Sequence, residues 1–403
     1  MRIAVITSSY PRFQGDGIAP FIKSISEAFL SKGHRIEVVA PHDIQVKPDP
    51  HSKIKVHRFR YIWPERLHIL GHSRSLKADV KLRPLVPFLL PLFLLASVYK
   101  LLRVARKMQA EVIHAHWVLP NGLSAAIASK LLKIPFIISL HGSDIYMADK
   151  NFLYKAIARW VFSQSSHVTA CSEELYVRAK NIQPKINVSL LAWGADPDIF
   201  KPLTQRCHVR NKYGWLPDEI IITTLGRFVY KKGFDRLISI VPELLNENVS
   251  MRVAIGGSGP IEEELKEQAT RTGVQDVVSF SGQIPWQDVP EFLAASDIFV
   301  LPSQRDPGGN LDGLPTVLLE AMSCALPCVA SNIGGVNLVI NHHSNGFLVD
   351  PEDLKGLKNS LQQLIADQSL RDRLGKEARL AVVERLNWGY VVSFFERIFH
   401  EIT

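Results

Sequence analysis

"LDGLPTVLLEAM", Leu311 to Met322, sets an acidic residue, a glycine and a proline ahead of a short apolar run that holds a single Glu. One reading is purely structural. Asp312 is then the charge a helix N-terminus favours, Pro315 its first-turn residue, and Glu320 a solvated position on a helix packing through Leu314, Val317, Leu318 and Met322. The other reading is chemical. A helix beginning near Leu314 or Pro315 offers free N–H groups and a positive dipole end, which is an anion site. Glu320 then lies roughly 8 Å deeper at 1.5 Å rise per residue. Asp312 and Glu320 would bracket a bound diphosphate, Glu320 gripping a ribose and Asp312 a hexose, neither acting as a general base. The window alone leaves both readings open.

The surrounding chain supplies the context. "RIAVITS", from Arg2, is a β-branched apolar run followed by the turn residues "PRFQGDG" and by "APFIKSISEAFLSKG", whose apolar residues recur at helical spacing. That is strand, glycine loop, helix. "GHRIEVVAP", "EVIHAHW", "FIISLHG" and "HVTACS" continue the strands between helical stretches. After "AWGADPDIFKP", Ala192 to Pro202, the alternation restarts with "IIITTLGRF", "MRVAIGG", "VVSFSG", "IFVLPS" and "PCVAS". Alternation of this kind predicts α/β architecture: two doubly wound Rossmann-like domains, each a parallel sheet covered by helices, facing a central cleft. Residues 1–190 form the first domain, 203–380 the second, and 381–403 a C-terminal helix packing back on the first. Ligands of such sheets bind beyond the carboxyl ends of the strands.

Within the second domain "GRFVYKKGFDRL", Gly226 to Leu237, follows a strand and precedes a helix. Gly226 frees the backbone at the strand end, and Arg227, Lys231 and Lys232 put cations where a ligand of an open sheet sits. A planar guanidinium and a point charge together suit a diphosphate. The GKS or GKT ending of a phosphate loop is absent, and "GGSGP" at Gly256 to Pro260 does not complete a dinucleotide fingerprint.

Charge is unevenly divided. Of 403 residues with a net charge of +8, the first 200 carry 27 Lys and Arg against 14 Asp and Glu, or +13, leaving −5 for the remainder. The first half therefore calls for an anionic partner. No nucleic-acid-binding signature accompanies it, so no nucleic acid is expected and an acidic membrane surface remains. "RPLVPFLLPLFLLASVYKLLRVARK", Arg83 to Lys107, holds an uncharged apolar run flanked by Lys77, Lys81 and Arg83 before it and Lys100, Arg103, Arg106 and Lys107 after it. It is shorter than the roughly 20 apolar residues of a span, and three prolines interrupt it. It reads either as a membrane-interface segment or as a core helix with a cationic rim. The N-terminus lacks a signal-peptide core, so the expected location is cytoplasmic, peripheral at the inner face of the cell membrane. Cys171, Cys207, Cys324 and Cys328 form no CxxC pair and read as free thiols. His114 and His116 alternate on a strand without a matching ligand set, so no metal site is expected.

The ordered set "YPRFQGDG", "HGSD", "GRFVYKKG", "GSGP", "FSGQIPWQDVPEFLAASDIFVLPS", "DGLPTVLLEAMSCALPCVAS" and "NIGGV" resembles glycosyltransferase family 4, retaining transferases of the GT-B fold, over nearly the whole chain. The resemblance implies that Arg227 and Lys232 bind the diphosphate of a nucleotide-sugar donor and that Glu320 holds its ribose. It also implies that Ile284 meets the base through its backbone and that Gly226, Gly313 and Leu314 line the donor site with Asp312. His141 would lie beside the sugar with Asp144 nearby, and the loop of Gly15 and Gly17 would close over the donor. Three departures stand out. Asp312 replaces the usual Glu, the GGxPE pattern reads Gly334, Gly335, Val336, Asn337, Leu338 without its acid, and Asp16 splits the usual adjacent glycines.

The expected activity is transfer of a hexose from a nucleotide-diphosphate sugar to a saccharide or lipid-linked acceptor, with retention, in surface polysaccharide or glycolipid synthesis. The nucleotide sugar is a co-substrate, and no cofactor is expected. Two rivals remain: a non-catalytic membrane-bound scaffold of the same fold, and a sugar-nucleotide epimerase.

Overall fold

Strand β1 (Arg2–Ile6) is almost wholly buried, as a run of consecutive apolar residues must be when helices cover both faces of its sheet. It pairs in parallel with β2 (Arg35–Pro41) on one side and, past β3 (Lys55–Phe59) and a short antiparallel pair β4 (Leu76–Lys77) and β5 (Lys81–Leu82), with β6 (Val112–His116) on the other. With β7 (Phe136–Leu140), β8 (His167–Ala170) and β9 (Val188–Leu190) the first sheet runs β3-β2-β1-β6-β7-β8-β9, all parallel. The second sheet comprises β10 (Ile220–Leu225), β11 (Met251–Gly256), β12 (Val278–Gly282), β13 (Ile298–Leu301), β14 (Cys328–Ser331) and β15 (Phe347–Val349), in the parallel order β12-β11-β10-β13-β14-β15. The strand order reverses between β1 and β6 and between β10 and β13, and each reversal opens a crevice at the carboxyl ends of those strands.

This computed structural model describes residues 1–403 except 51, 73–75, 78–80, 83, 143–144, 147, 149–150 and 246–249. Asp144 and Arg83 therefore lie outside the described residues. Two compact units divide the chain: Met1–Ala192 with Trp388–Thr403, and Trp193–Asn387. The helix Trp388–Ile402 belongs to the first unit, where Phe395 and Phe399 meet Phe29 of the helix Pro20–Ser31 and Glu396 bonds His34 at 2.9 Å.

The apolar segment after Arg83 forms a continuous helix, Val86–Met108, despite its prolines. Pro87 sits in the first turn, where no N–H is required. Pro91 lies inside the helix, but Pro87 and Pro91 both face solvent, so the carbonyl that loses its partner is open to water. By length and composition this helix is long and apolar enough to cross a membrane. Its other side, through Val86, Leu89, Phe93, Leu101, Val104 and Met108, is buried within the first unit. Phe93 packs edge-on against Phe59 of β3 and against Tyr61.

Candidate active site

In the second unit the loop after β10 and the loop after β13 flank the strand-order reversal, and glycines let them meet. Gly233 has φ +66°, and a Cβ there would fall 1.8 Å from the Pro302 carbonyl oxygen, so only glycine fits. Gln304 ties the same loops together: its backbone N–H donates to the Lys231 carbonyl (3.0 Å) and its side-chain amide to the Tyr230 carbonyl (2.9 Å) and to Asp235 (3.2 Å). The Lys232 stem lies against Gly226, where a Cβ would come within 3.2 Å of it. Ile284, just past the end of β12, packs against Gly256 at the same end of the sheet.

The two lysines converge on Asp312. Lys231 Nζ is 3.1 Å from Oδ1 and Lys232 Nζ 2.6 Å from Oδ2. Burial would raise the Asp312 pKa, but the two ammonium groups, Lys231 first, outweigh it and hold the carboxyl well below the usual carboxylate range. Asp312 is thus ionised at any physiological pH while 19% of its side chain stays accessible.

The helix that follows runs Thr316–Ser323, with Pro315 as an extended N-cap that has no side chain to cap it. It begins one or two residues later than its sequence suggests, because Pro315, at ψ 120°, is the last extended residue and not the first helical one. Its first-turn N–H groups carry the positive end of the helix dipole next to Gly313 and Leu314. Glu320 sits one turn in. Burial pushes its carboxyl up to about 7, with a bond from Thr316 as the only opposing influence. The structure therefore drives the two carboxylates apart, one fixed as an anion and one poised near neutrality.

The chemical reading of the window gives Asp312 to a hexose, and the structure adds that Asp312, Lys231 and Lys232 form one cluster. Lys231 was noted in the sequence only as a further cation, and its partnership with Asp312 is invisible there because the two lie on different loops. Arg227 lies at the exposed rim of the same loop.

In the first unit, His141 follows β7 and closes a column of three imidazoles. His116 Nδ1 and His141 Nε2 are 3.0 Å apart, and the two rings stack at 5.2 Å. The His114 ring lies tilted against that of His116, with centroids 4.3 Å apart, and His114 bonds Ser139, which bonds Thr169, both at 2.8 Å. Burial pushes His114 down to about 3, and burial with the nearby His114 does the same to His141, while His116 lies well below its ordinary value. All three are neutral. Phe395 and Phe29 cover the His114 end, whereas Phe21 and Trp117 flank His141, with ring centroids at 5.0 and 4.5 Å. Trp117 adopts φ +70°, a strained conformation for a bulky residue. Among the described residues no three or more His, Cys, Asp or Glu side chains converge as a metal-holding group.

Comparison with known proteins agrees with this architecture. Residues 15–198 match the family model described as Glycosyltransferase Family 4, and residues 206–381 that described as Glycosyl transferases group 1. The chain is 27% identical over 407 residues to N-acetyl-alpha-D-glucosaminyl L-malate synthase of Bacillus anthracis, covering 100% of this chain and 98% of that protein. It is 29% identical over 272 residues to the GDP-mannose-dependent alpha-(1-6)-phosphatidylinositol monomannoside mannosyltransferase of Mycolicibacterium smegmatis, covering 67% and 71%. Among solved structures, Anabaena HepE in complex with UDP and glucose superimposes with a TM-score of 0.75 at 20% identity, covering 100% of both chains. Sucrose-phosphate synthase of Thermosynechococcus elongatus gives 0.75 at 21%, covering 99% and 98%.

The chain belongs to glycosyltransferase family 4 and has the GT-B fold.

The three departures of this glycosyltransferase from the family pattern have physical counterparts. Asp16, between Gly15 and Gly17, anchors its loop: its carboxylate accepts from the Arg12 backbone N–H (2.9 Å) and Nε (2.7 Å) and from the Ile18 N–H (3.2 Å). Gly15 supplies the left-handed turn at φ +84°, and a Cβ at Gly17 would meet nothing within 4 Å. Gly334 and Gly335 seat the acidic loop. At Gly334, φ +64°, a Cβ would fall 2.4 Å from the Asp312 carbonyl oxygen, and the Gly335 N–H donates to the Gly313 carbonyl. Leu338 occupies the position of the missing acid, in the turn Val336–Leu338. Asp312, shorter than Glu, is held by two lysines at once.

Proposed function

We propose that this glycosyltransferase moves a hexose from a nucleotide-diphosphate sugar to a saccharide or lipid-linked acceptor, with retention at the anomeric carbon and without a metal. The observation that carries the reading is the cluster of Lys231, Lys232 and Asp312 beside the uncapped start of the helix Thr316–Ser323. Its cations and helix dipole suit a departing diphosphate and supply the charge a divalent ion would otherwise bring. The bond from C1 to the leaving phosphate oxygen breaks, the acceptor oxygen bonds C1 from the same face, and a donor phosphate oxygen takes the acceptor proton. Arg227 and Lys232 hold the diphosphate, Glu320 the ribose, Ile284 the base through its backbone, and Asp312 the hexose. His141, as a neutral imidazole, and the loop of Gly15 and Gly17 serve the transferred sugar. The test is a donor panel scored by binding and by transfer in chelator, with the product's anomeric configuration read by NMR. Formation of an isomeric nucleotide sugar without acceptor would establish an epimerase, and the absence of any turnover a scaffold.

Because Asp312 pairs with both lysines and offsets one of their two charges, Asp312→Asn is expected to bind free nucleotide diphosphate more tightly while losing transfer, since removing the carboxylate frees the cations for phosphate. Weaker diphosphate binding in this variant would mean that Asp312 holds the two lysines in place for the phosphate and does not compete with it.

The proposal extends to an acidic membrane surface, with the protein at the inner face of the cell membrane and the acceptor presented there. Phe88, Leu92, Leu95 and Tyr99 form an exposed stripe on the helix Val86–Met108, which runs on into exposed Arg103, Arg106 and Lys107. Replacing these three cations with Gln is expected to weaken binding to anionic vesicles by up to about 3 kcal/mol, with added salt weakening the wild type. Equal sedimentation with neutral and anionic vesicles would return the helix to a purely structural role.

A further inference from the structure

The exposed stripe of the helix Val86–Met108 has a counterpart two helices away. In the first unit, the helix Val86–Met108 packs against the helix Leu123–Leu132, which in turn packs against the helix Phe152–Gln164. This third helix buries Ala158, Val161 and Phe162. It leaves Phe152 89% exposed and Trp160 39% exposed, with Leu153 also on the surface. Phe152 does not lie on a fraying end, because the Asn151 side chain caps the helix by accepting from the Leu153 and Tyr154 N–H groups. Lys155 and Arg159 are exposed on the same helix, and Lys130, Leu131 and Lys133 at the end of the middle one. Scattered exposed apolar residues are ordinary, but apolar residues of this size on both outer helices of one layer are not.

Charge settles the occupant. From Val86 to Ala110, from Leu123 to Gly142 and from Asn151 to Ser172 the sequence contains no Asp or Glu. The helices Pro20–Ser31 and Trp388–Ile402, which pack together elsewhere in the unit, carry Glu27, Glu396 and Glu401. A second copy of the same face would set cations against cations. An anionic bilayer complements the face over its whole extent, and Trp and Tyr favour the boundary between headgroups and acyl chains.

We propose that the helix Phe152–Gln164 is a second bilayer contact, so that the protein meets an anionic membrane through a face of three helices and not through the segment 83–107 alone. The inference rests on the membrane reading above and deepens it. Two attachment points on one rigid layer fix the orientation of the unit on the surface, which a single amphipathic helix would leave free to roll about its axis.

The test uses the full chain with phosphatidylglycerol and with phosphatidylcholine vesicles. The double variants Phe152→Ser/Trp160→Ser and Phe88→Ser/Leu95→Ser are each expected to partition at least tenfold less onto phosphatidylglycerol, and Phe152→Ser alone, at the 89% exposed position, to partition less with thermal melting unchanged. Brominated lipid should quench the wild-type tryptophan fluorescence more than that of Trp160→Phe. If Phe152→Ser/Trp160→Ser bound like the wild type while Phe88→Ser/Leu95→Ser was released, the second contact would be overturned and the membrane reading would stand. If the wild type bound neither vesicle, both would fall. A wild type that dimerises in solution and becomes monomeric in Phe152→Ser/Trp160→Ser would assign the face to a second copy and overturn the proposal.

Discussion

Lys232→Ala is expected to lower turnover at least tenfold and to weaken nucleotide-diphosphate binding. A charge-assisted contact is worth about 1.5 to 3 kcal/mol, which converts to roughly 10-fold to over 100-fold in rate when the contact strengthens as the diphosphate departs. Arg227→Ala is expected to act in the same direction, from the exposed rim. The structure adds a feature that distinguishes the two. Lys232 lies 2.6 Å from Asp312, so its removal also leaves that carboxylate with Lys231 alone. Adding Asp312→Asn to Lys232→Ala should therefore recover diphosphate affinity in part and transfer not at all. Steady-state kinetics and calorimetric titration with free nucleotide diphosphate read both quantities. Wild-type kinetics in Lys232→Ala would remove the cluster from the reaction.

The fold class was legible because each unit opens on a run of apolar residues that must be buried on both faces, β1 and β10, followed by a loop that cannot continue the strand. What that reading could not supply was the partner of each charge. Lys231 and Asp312 are far apart in sequence and come together only because Gly233 allows one loop to touch Pro302 and Gly334 allows the other to settle on its neighbour. The glycines of "KKG" and "NIGGV" were visible, but their effect on Asp312 depends on which strands are adjacent. The segment 83–107 forms, from Val86, a helix with one buried and one exposed side. Val86, Leu89 and Phe93 point into the core, and Phe88, Leu92 and Leu95 point out of it. Hydropathy averaged along the segment cannot separate them.

The two units are expected to respond to acid with opposite signs. In the first, His114 and His116 are fully buried and neutral, with folded-state values far below the ordinary 6.5. The unfolded chain binds protons below that value and the folded chain does not, so stability present above pH 6.5 is lost as the pH falls. At pH 5, about 1.5 units lower, each would cost the first unit about 2 kcal/mol, and His72, pushed down to about 4 by burial, acts in the same direction. In the second unit Glu320 is raised to about 7 by burial. There the folded state holds the proton that the unfolded state releases, so stability is greatest below the ordinary carboxyl value and falls as the pH rises through 7. Moving from pH 7.5 to pH 5 should thus loosen the first sheet and tighten the second. Hydrogen exchange of the full chain, corrected for the intrinsic pH dependence, resolves the two. Protection should fall in peptides from β6 and β7 and rise in those around the helix Thr316–Ser323, the latter change being absent in Glu320→Gln. Loss of protection around the helix Thr316–Ser323 would mean that the fold does not hold the Glu320 proton, and unchanged protection in β6 and β7 would mean that the buried histidines take up protons without unfolding. Their column would then relay charge toward His141, and its neutral state would no longer be fixed by the fold.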